Sequence, residues 1–168
     1  MGLFTIGHGN SDLRGFVRLL ESKGINILVD VRSTPYSKYA NHFNRDPLSA
    51  VLKNSTKILY LYRGAELGGR PTNEEFSAAG TVPDYSKMRE DIKFKECLAK
   101  LMEFAYSKNV NVALMCSEEN PEHCHRNLLI GDYIFDKGYD VIHIRRDGNC
   151  VLHSELMKLR PAKQMDLL

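Results

Sequence analysis

Apolar positions along this chain fall into short branched runs that alternate with segments of helical period. Leu3 to Gly7 (L-F-T-I-G) is an apolar run closing on glycine and predicts a buried strand. Ser11 is placed to cap the next segment, where Leu13, Phe16, Val17 and Leu20 recur at helical spacing. Lys23-Gly24 is a helix stop, and Ile25 to Val31 (I-N-I-L-V-D-V) is a second strand rich in branched residues. Strand, helix and strand in so short a span predict a βαβ unit with parallel pairing.

From Arg32 to Asp46 the periodicity breaks up. Leu48 to Leu52 predicts a short helix opened by Pro47, and Ile58 to Tyr62 a third strand. Arg63 to Asp84 reads as a loop, and a loop of that length in a compact fold is usually functional. Met88 to Ser107 predicts a long helix with Ile92, Leu98, Leu101, Met102 and Ala105 on its apolar face. Val110 to Cys116 is a fourth strand, Asn127 to Lys137 a helix closed by Gly138, and Val141 to Ile144 a fifth strand. Asp147-Gly148 is a hairpin turn, Cys150 to His153 its return strand, and Ser154 to Leu159 a short last helix. The order predicts one α/β domain over residues 1–168: a mostly parallel sheet of about five strands flanked by helices, with a C-terminal hairpin.

Composition adds little. The 168 residues carry 23 Lys+Arg and 21 Asp+Glu, a net charge of +2, with 43% hydrophobic and 26% charged positions. That is a globular balance and makes no whole-surface case for nucleic acid or membrane. No apolar run reaches the roughly 18 residues of a membrane helix, and the N-terminus has no signal-peptide pattern. The four cysteines, Cys97, Cys116, Cys124 and Cys150, are too sparse for a secreted disulfide scaffold. A reducing, cytoplasmic setting with free thiols is expected.

The chemistry gathers where the strands end. In open α/β sheets, ligands bind beyond the carboxyl ends of the strands. Gly7 and His8 follow the first strand, Asp30, Arg32 and Ser33 the second, Arg63 the third, and Cys116 and Glu118 the fourth. The richest stretch is A-L-M-C-S-E-E-N-P-E-H-C-H-R, which brings Cys116, Glu118, Cys124, His125 and Arg126 into eleven positions. Cys124-His125-Arg126 opens a helix, whose free N–H groups stabilise anions and lower a thiol pKa. Cys116 or Cys124 is then a candidate nucleophile, Glu118 or His125 an acid/base, and Arg32 and Arg126 anion holders. Cys97 and Cys150 are assigned to packing. Asp30, in an apolar strand, needs a partner, and Arg32 and His8 are the candidates. Tyr36 and Ser37, with Gly68, Gly69 and Arg70, form a candidate lid or binding surface. His143, inside an apolar strand, reads as a core histidine.

Zinc is the rival chemistry, because Cys116, His123, Cys124 and His125 are all potential ligands. Three of them are consecutive, and adjacent side chains rarely converge on one ion, so no metal and no cofactor are expected. The expected activity is that of a cysteine-dependent transferase or hydrolase. Its partner is a small anionic molecule or nucleotide; nucleic acid is a weaker candidate. The alternatives are a non-catalytic binding module for such ligands, or a zinc-binding protein. The sequence does not give the oligomeric state.

The motifs T-I-G-H at 5–8, V-D-V-R-S-x-P-x-S at 29–37, L-G-G-R at 67–70, M-C-x-E at 115–118, C-H-R at 124–126 and H-I at 143–144 occur in that order. Together they resemble the domain-of-unknown-function 488 family over about residues 3–146, with Gly9 where that family often carries serine. The resemblance implies an α/β fold and points to Asp30, Arg32, Cys116, Glu118, Cys124, His125 and Arg126. It implies no established reaction.

Overall fold

The computed structural model describes residues 2–71, 77–78 and 82–160, with the backbone alone described at 77, 78 and 82. Strand β1 (Gly2–Gly7) leads to helix α1 (Leu13–Ser22). The N-cap is Asp12 rather than Ser11: its carboxylate accepts from the Gly15 N–H, satisfying a donor the first turn cannot. Phe16, Val17 and Leu20 are buried, and Gly24 ends the helix in the left-handed region at φ +62°. Strand β2 (Ile27–Asp30) follows.

A 3-10 turn, Asn41–Phe43, seats Phe43 in the core, and helix α2 (Arg45–Ser55) begins before Pro47 rather than at it. Proline is accepted there because the N–H groups of a first turn have no intrahelical partner. Strand β3 (Leu59–Tyr62) leads into the stretch expected to be a loop. That stretch instead holds a helical turn α3 (Gly64–Leu67) and a short antiparallel pair, β4 (Ser77–Ala78) with β5 (Val82–Pro83). A further turn, α4 (Tyr85–Met88), precedes helix α5 (Ile92–Ser107). Asp91 caps α5 and sets its start later than the periodicity suggests. Ile92 is therefore 64% exposed, and Phe94 takes the buried position with Leu98, Leu101, Met102 and Ala105.

Strand β6 (Asn111–Cys116) is followed by a π-helical segment, Arg126–Gly131, that runs into α6 (Asp132–Asp136). Strands β7 (Ile142–Ile144) and β8 (Cys150–Leu152) form the expected hairpin around Gly148 at φ +85°, and His153 opens α7 (His153–Leu159) instead of ending β8.

The main sheet has six strands in the order β3-β2-β6-β1-β7-β8, parallel except for β8. Both faces are covered, as parallel sheets require. Alternation along the strands divides the core. Leu3, Val29, Val112 and Leu114 pack toward α5 and the π segment, with Leu98, Leu129 and Ile130. Ile6, Leu28, Ala113 and Met115 pack toward α1 and α2, with Phe16, Leu48 and Phe43. Truncating a fully buried leucine such as Leu98 to alanine would cost about 2–5 kcal/mol. No helix among the described residues is long and apolar enough to cross a membrane.

Candidate active site

Strand β6 lies between β2 and β1, so its carboxyl end is central in the sheet edge. Cys116 pairs with Gly7 in register, and the ladder continues past both strands: the His8 and Gly9 N–H groups donate to the Cys116 and Ser117 carbonyls at 3.1 and 2.9 Å. Cys116 continues the Val112–Leu114 face by the two-residue period and meets the start of the π segment there. The Cys124 carbonyl accepts from the N–H groups of Asn127 and Leu128, which fixes the turn carrying Cys124 and His125.

His125 Nε2 lies 3.1 Å from the Val31 carbonyl. A carbonyl only accepts, so that nitrogen carries hydrogen and Nδ1 is the free face of the ring. Nδ1 lies 3.6 Å from Cys116 Sγ and 3.8 Å from Cys124 Sγ. All three side chains are buried. The ring cannot turn freely, because a Cβ on Gly69 would sit 2.5 Å from its Cγ, so glycine at 69 is what lets the chain pass over His125.

The two thiols are coupled. The Cys124 thiol lowers the Cys116 pKa, against burial, with His125 and the Glu118 backbone adding to the effect. The Cys116 sulfur and burial in turn raise the Cys124 pKa. Of the two, Cys116 is the one whose ionised form these neighbours favour. Tyr85 stands near enough that burial and the two sulfurs raise its phenol pKa.

A cavity of about 580 Å³ opens over this cluster. Among the residues singled out from sequence, Cys116, Glu118, Cys124 and His125 line it. Arg32, Ser33, Gly69 and Arg70 line it as well, and Ser33 Oγ accepts from the Arg70 N–H at 2.9 Å. His123 is also on the wall but does not join the cysteine–histidine cluster. Adjacency argued against Cys124 and His125 converging, yet their donor atoms and that of Cys116 lie within 4.8 Å of one another. A strand end and a helix start approach from different directions, which adjacency alone does not reveal.

The remaining sequence-picked residues lie off this cavity. Asp30 is fully buried behind Arg32, which reaches it through Nε at 2.9 Å and Nη2 at 2.6 Å; the Tyr60 hydroxyl donates to it at 2.6 Å. His8 stacks on Phe43 at 4.4 Å and its Nε2 lies 3.3 Å from Arg32 Nη1. Burial lowers the His8 pKa, which suits a neutral ring accepting from the guanidinium. Arg126 is fully buried instead of facing the cavity. Its Nη2 donates to the Glu119 carbonyl, while Nε and Nη1 have no hydrogen-bond partner among the described residues. Gly7 is the glycine it passes, since a Cβ there would lie 2.7 Å from Nη1.

Tyr36 is 56% exposed, Ser37 Oγ accepts from the Tyr39 and Ala40 N–H groups, and Arg63 Nη1 donates to the Tyr62 carbonyl. None of these three lines the cavity. Gly68 belongs to a second cavity of about 460 Å³, which shares Ser33, Arg70 and Pro71 with the first. Thr34, Ser117 and Tyr85 line the first cavity and were not singled out from sequence. The only signal for Tyr85 was its place just after the long segment marked as functional.

The molecule is a mostly parallel α/β sheet carrying a Cys–Cys–His cluster at the carboxyl end of the inner strand β6. The chain matches the family described as domain of unknown function DUF488 over residues 12–133, and it belongs to that family. The matched span includes the second-strand motif, L-G-G-R, M-C-x-E and C-H-R, and leaves T-I-G-H and H-I outside. No curated protein and no solved structure matches the chain.

Proposed function

We propose that this chain is an enzyme in which the Cys116 sulfur acts as nucleophile on a small anionic substrate, with a nucleotide the preferred class. The observation that carries the reading is geometric. Cys116 Sγ faces His125 Nδ1 at 3.6 Å on the floor of the cavity, and the other ring nitrogen is anchored to Val31. That is the arrangement of an activated thiol: nucleophile, base, and a group that orients the base. Arg70 lines the same cavity and would attract the anion, and Glu118, also on its wall, would move a proton.

In the first step the sulfur forms a bond to an electrophilic phosphorus, carbon or sulfur atom. The leaving group departs with its bonding pair and takes the proton that His125 Nδ1 has accepted from the Cys116 thiol. In the second step neutral His125 takes a proton from water, whose oxygen attacks the adduct, and the thiolate is released. An acceptor alcohol or amine in place of water would make the enzyme a transferase.

The test is a panel of electrophilic phosphoryl, acyl, glycosyl and sulfur-transfer compounds, scored for turnover by the full chain. For any compound that turns over, Cys116→Ser abolishes turnover while the circular dichroism spectrum is retained. His125→Ala lowers turnover by about 10²–10⁴-fold, the usual contribution of a proton-transfer partner. Full activity in both Cys116→Ser and Cys124→Ser excludes covalent catalysis.

A further inference from the structure

We propose that Cys116, Cys124 and His125 form a binding site for one thiophilic divalent cation, with zinc as the test ion and a fourth coordination position open to the cavity. The three donor atoms lie within 4.8 Å of one another, and His125 Nδ1 is 3.6 and 3.8 Å from the two sulfurs. Zinc bonds of about 2.3 Å to sulfur and about 2.0–2.1 Å to nitrogen put neighbouring donors of a tetrahedron roughly 3.5–3.8 Å apart. The sulfur–nitrogen spacings are close to that length and the two sulfurs lie within 4.8 Å, so the donors need only a small adjustment to accept the ion.

The histidine carries the outer partner a ligating imidazole needs. Its Nε2 donates to the Val31 carbonyl at 3.1 Å, which fixes the tautomer and leaves Nδ1 as the donor to the ion. Gly69, packed against the ring, holds that orientation. The donors come from two elements, the end of β6 and the start of the π segment, so the backbone sets their spacing. Three protein donors and an open fourth position are the pattern of a reactive zinc centre rather than a closed structural one. Ser117 and Glu118 line the cavity the fourth position faces, so a water or an anionic group of a ligand can complete the shell.

The inference stands on donor geometry and does not need the thiol chemistry proposed above. Where both hold, they exclude each other in time. A cation on Cys116 Sγ takes the electron pair that would attack an electrophile, so zinc inhibits and a chelator restores activity.

The experiment uses the full chain without a histidine tag, stripped with a chelator and titrated calorimetrically with zinc. Cadmium, followed by its thiolate charge-transfer absorbance, is the second probe. The expected result is one equivalent bound by the wild type. Loss of an outer-shell partner typically weakens a site 10–100-fold, so Cys116→Ser, Cys124→Ser and His125→Gln should each weaken binding by about 100-fold or more. His125→Gln leaves both thiols in place and serves if a cysteine variant fails to fold. Zinc should also block alkylation of both Cys116 and Cys124. Absence of binding, or binding that survives all three substitutions, overturns the proposal. Alkylation of the stripped protein separates the two readings. Rapid labelling of Cys116 without zinc binding sinks the metal site and leaves the nucleophile; zinc binding with an inert Cys116 does the reverse.

Discussion

Two arginines are buried at the carboxyl edge of the same sheet, and they are satisfied in opposite ways. Arg32 lies on the side of Phe43 and Tyr60, where Asp30 takes two of its nitrogens, the Phe43 carbonyl shares one of those, and His8 meets the third. Arg126 lies on the side of the thiols, with one carbonyl as its partner and two nitrogens without any among the described residues. No carboxylate pairs with it among those residues. A buried cation is costly without a counter-charge. Burial lowers the Arg126 pKa despite the attraction of Cys124, Cys116 and Glu119. One arginine completes a closed structural pair, whereas the other has no carboxylate partner among the described residues.

The largest test of this contrast is Asp30→Asn, which leaves Arg32 buried without its counter-charge. Removing one partner of a buried pair costs about 3–5 kcal/mol, a large share of a typical domain's stability. Urea unfolding should show that loss, and a change below about 1 kcal/mol would mean that the pair is not a structural element. Next is Gly69→Ala, which drives a methyl group into the His125 ring. Overpacking of this kind costs about 1–3 kcal/mol, and labelling of Cys116 should slow with it.

The third test concerns His143, the neighbour of Arg126 on the buried side. Thr5 Oγ1 and His153 Nδ1 lie 2.6 and 3.1 Å from its ring nitrogens. Burial, with His153 and Arg126, lowers its pKa to about 3. Its folded pKa is thus below the unfolded value of about 6.5, and the unfolded chain binds the extra proton between the two. Stability is full above pH ~6.5 and is lost as the pH falls toward the folded value, with a slope of up to about 1.4 kcal/mol per pH unit. His143→Asn should flatten that slope in chemical unfolding measured at several pH values; an unchanged slope would place the acid sensitivity elsewhere.

The smallest change in stability is expected for Arg126→Met. Apolar replacement of a buried ion is often neutral, so unfolding should stay within about 1 kcal/mol of the wild type. Yet the acid midpoint of iodoacetamide labelling of Cys116 should move to higher pH, because a neighbouring positive charge favours the thiolate. A loss as large as that of Asp30→Asn would make Arg126 a second structural pair and erase the contrast.

The strands were legible because each is a short branched run bounded by turn residues, and the hairpin because Asp147-Gly148 sits between two such runs. The helix ends were less so. Ser11 and Asp12 are both good caps, and only the backbone at Gly15 decides between them. Ile92 fits the helical stripe, but Asp91 caps immediately before it and leaves it outside. At the site, the C-H-R stretch brings Cys124 and His125 to the cavity wall, whereas Arg126 turns inward. Hydrophobic pattern does not distinguish an arginine facing a cavity from one threaded past Gly7. Tyr85 and Thr34 escaped because an isolated tyrosine or threonine carries no spacing signal; only tertiary packing brings them to the thiols.

The most direct test of the account is the alkylation rate of each cysteine against pH, resolved by mass spectrometry on the metal-stripped chain. An ordinary thiol reaches half its limiting rate near pH 8.5. Because only the thiolate reacts, a lowered pKa carries full reactivity into acid. Cys116 should therefore keep its rate down through pH 6, while the protonated Cys124 beside it stays slow. If Cys116 reacts no faster at pH 6 than an ordinary thiol does, or if Cys124 carries the acid-stable reactivity, the assignment of the negative charge to Cys116 is wrong.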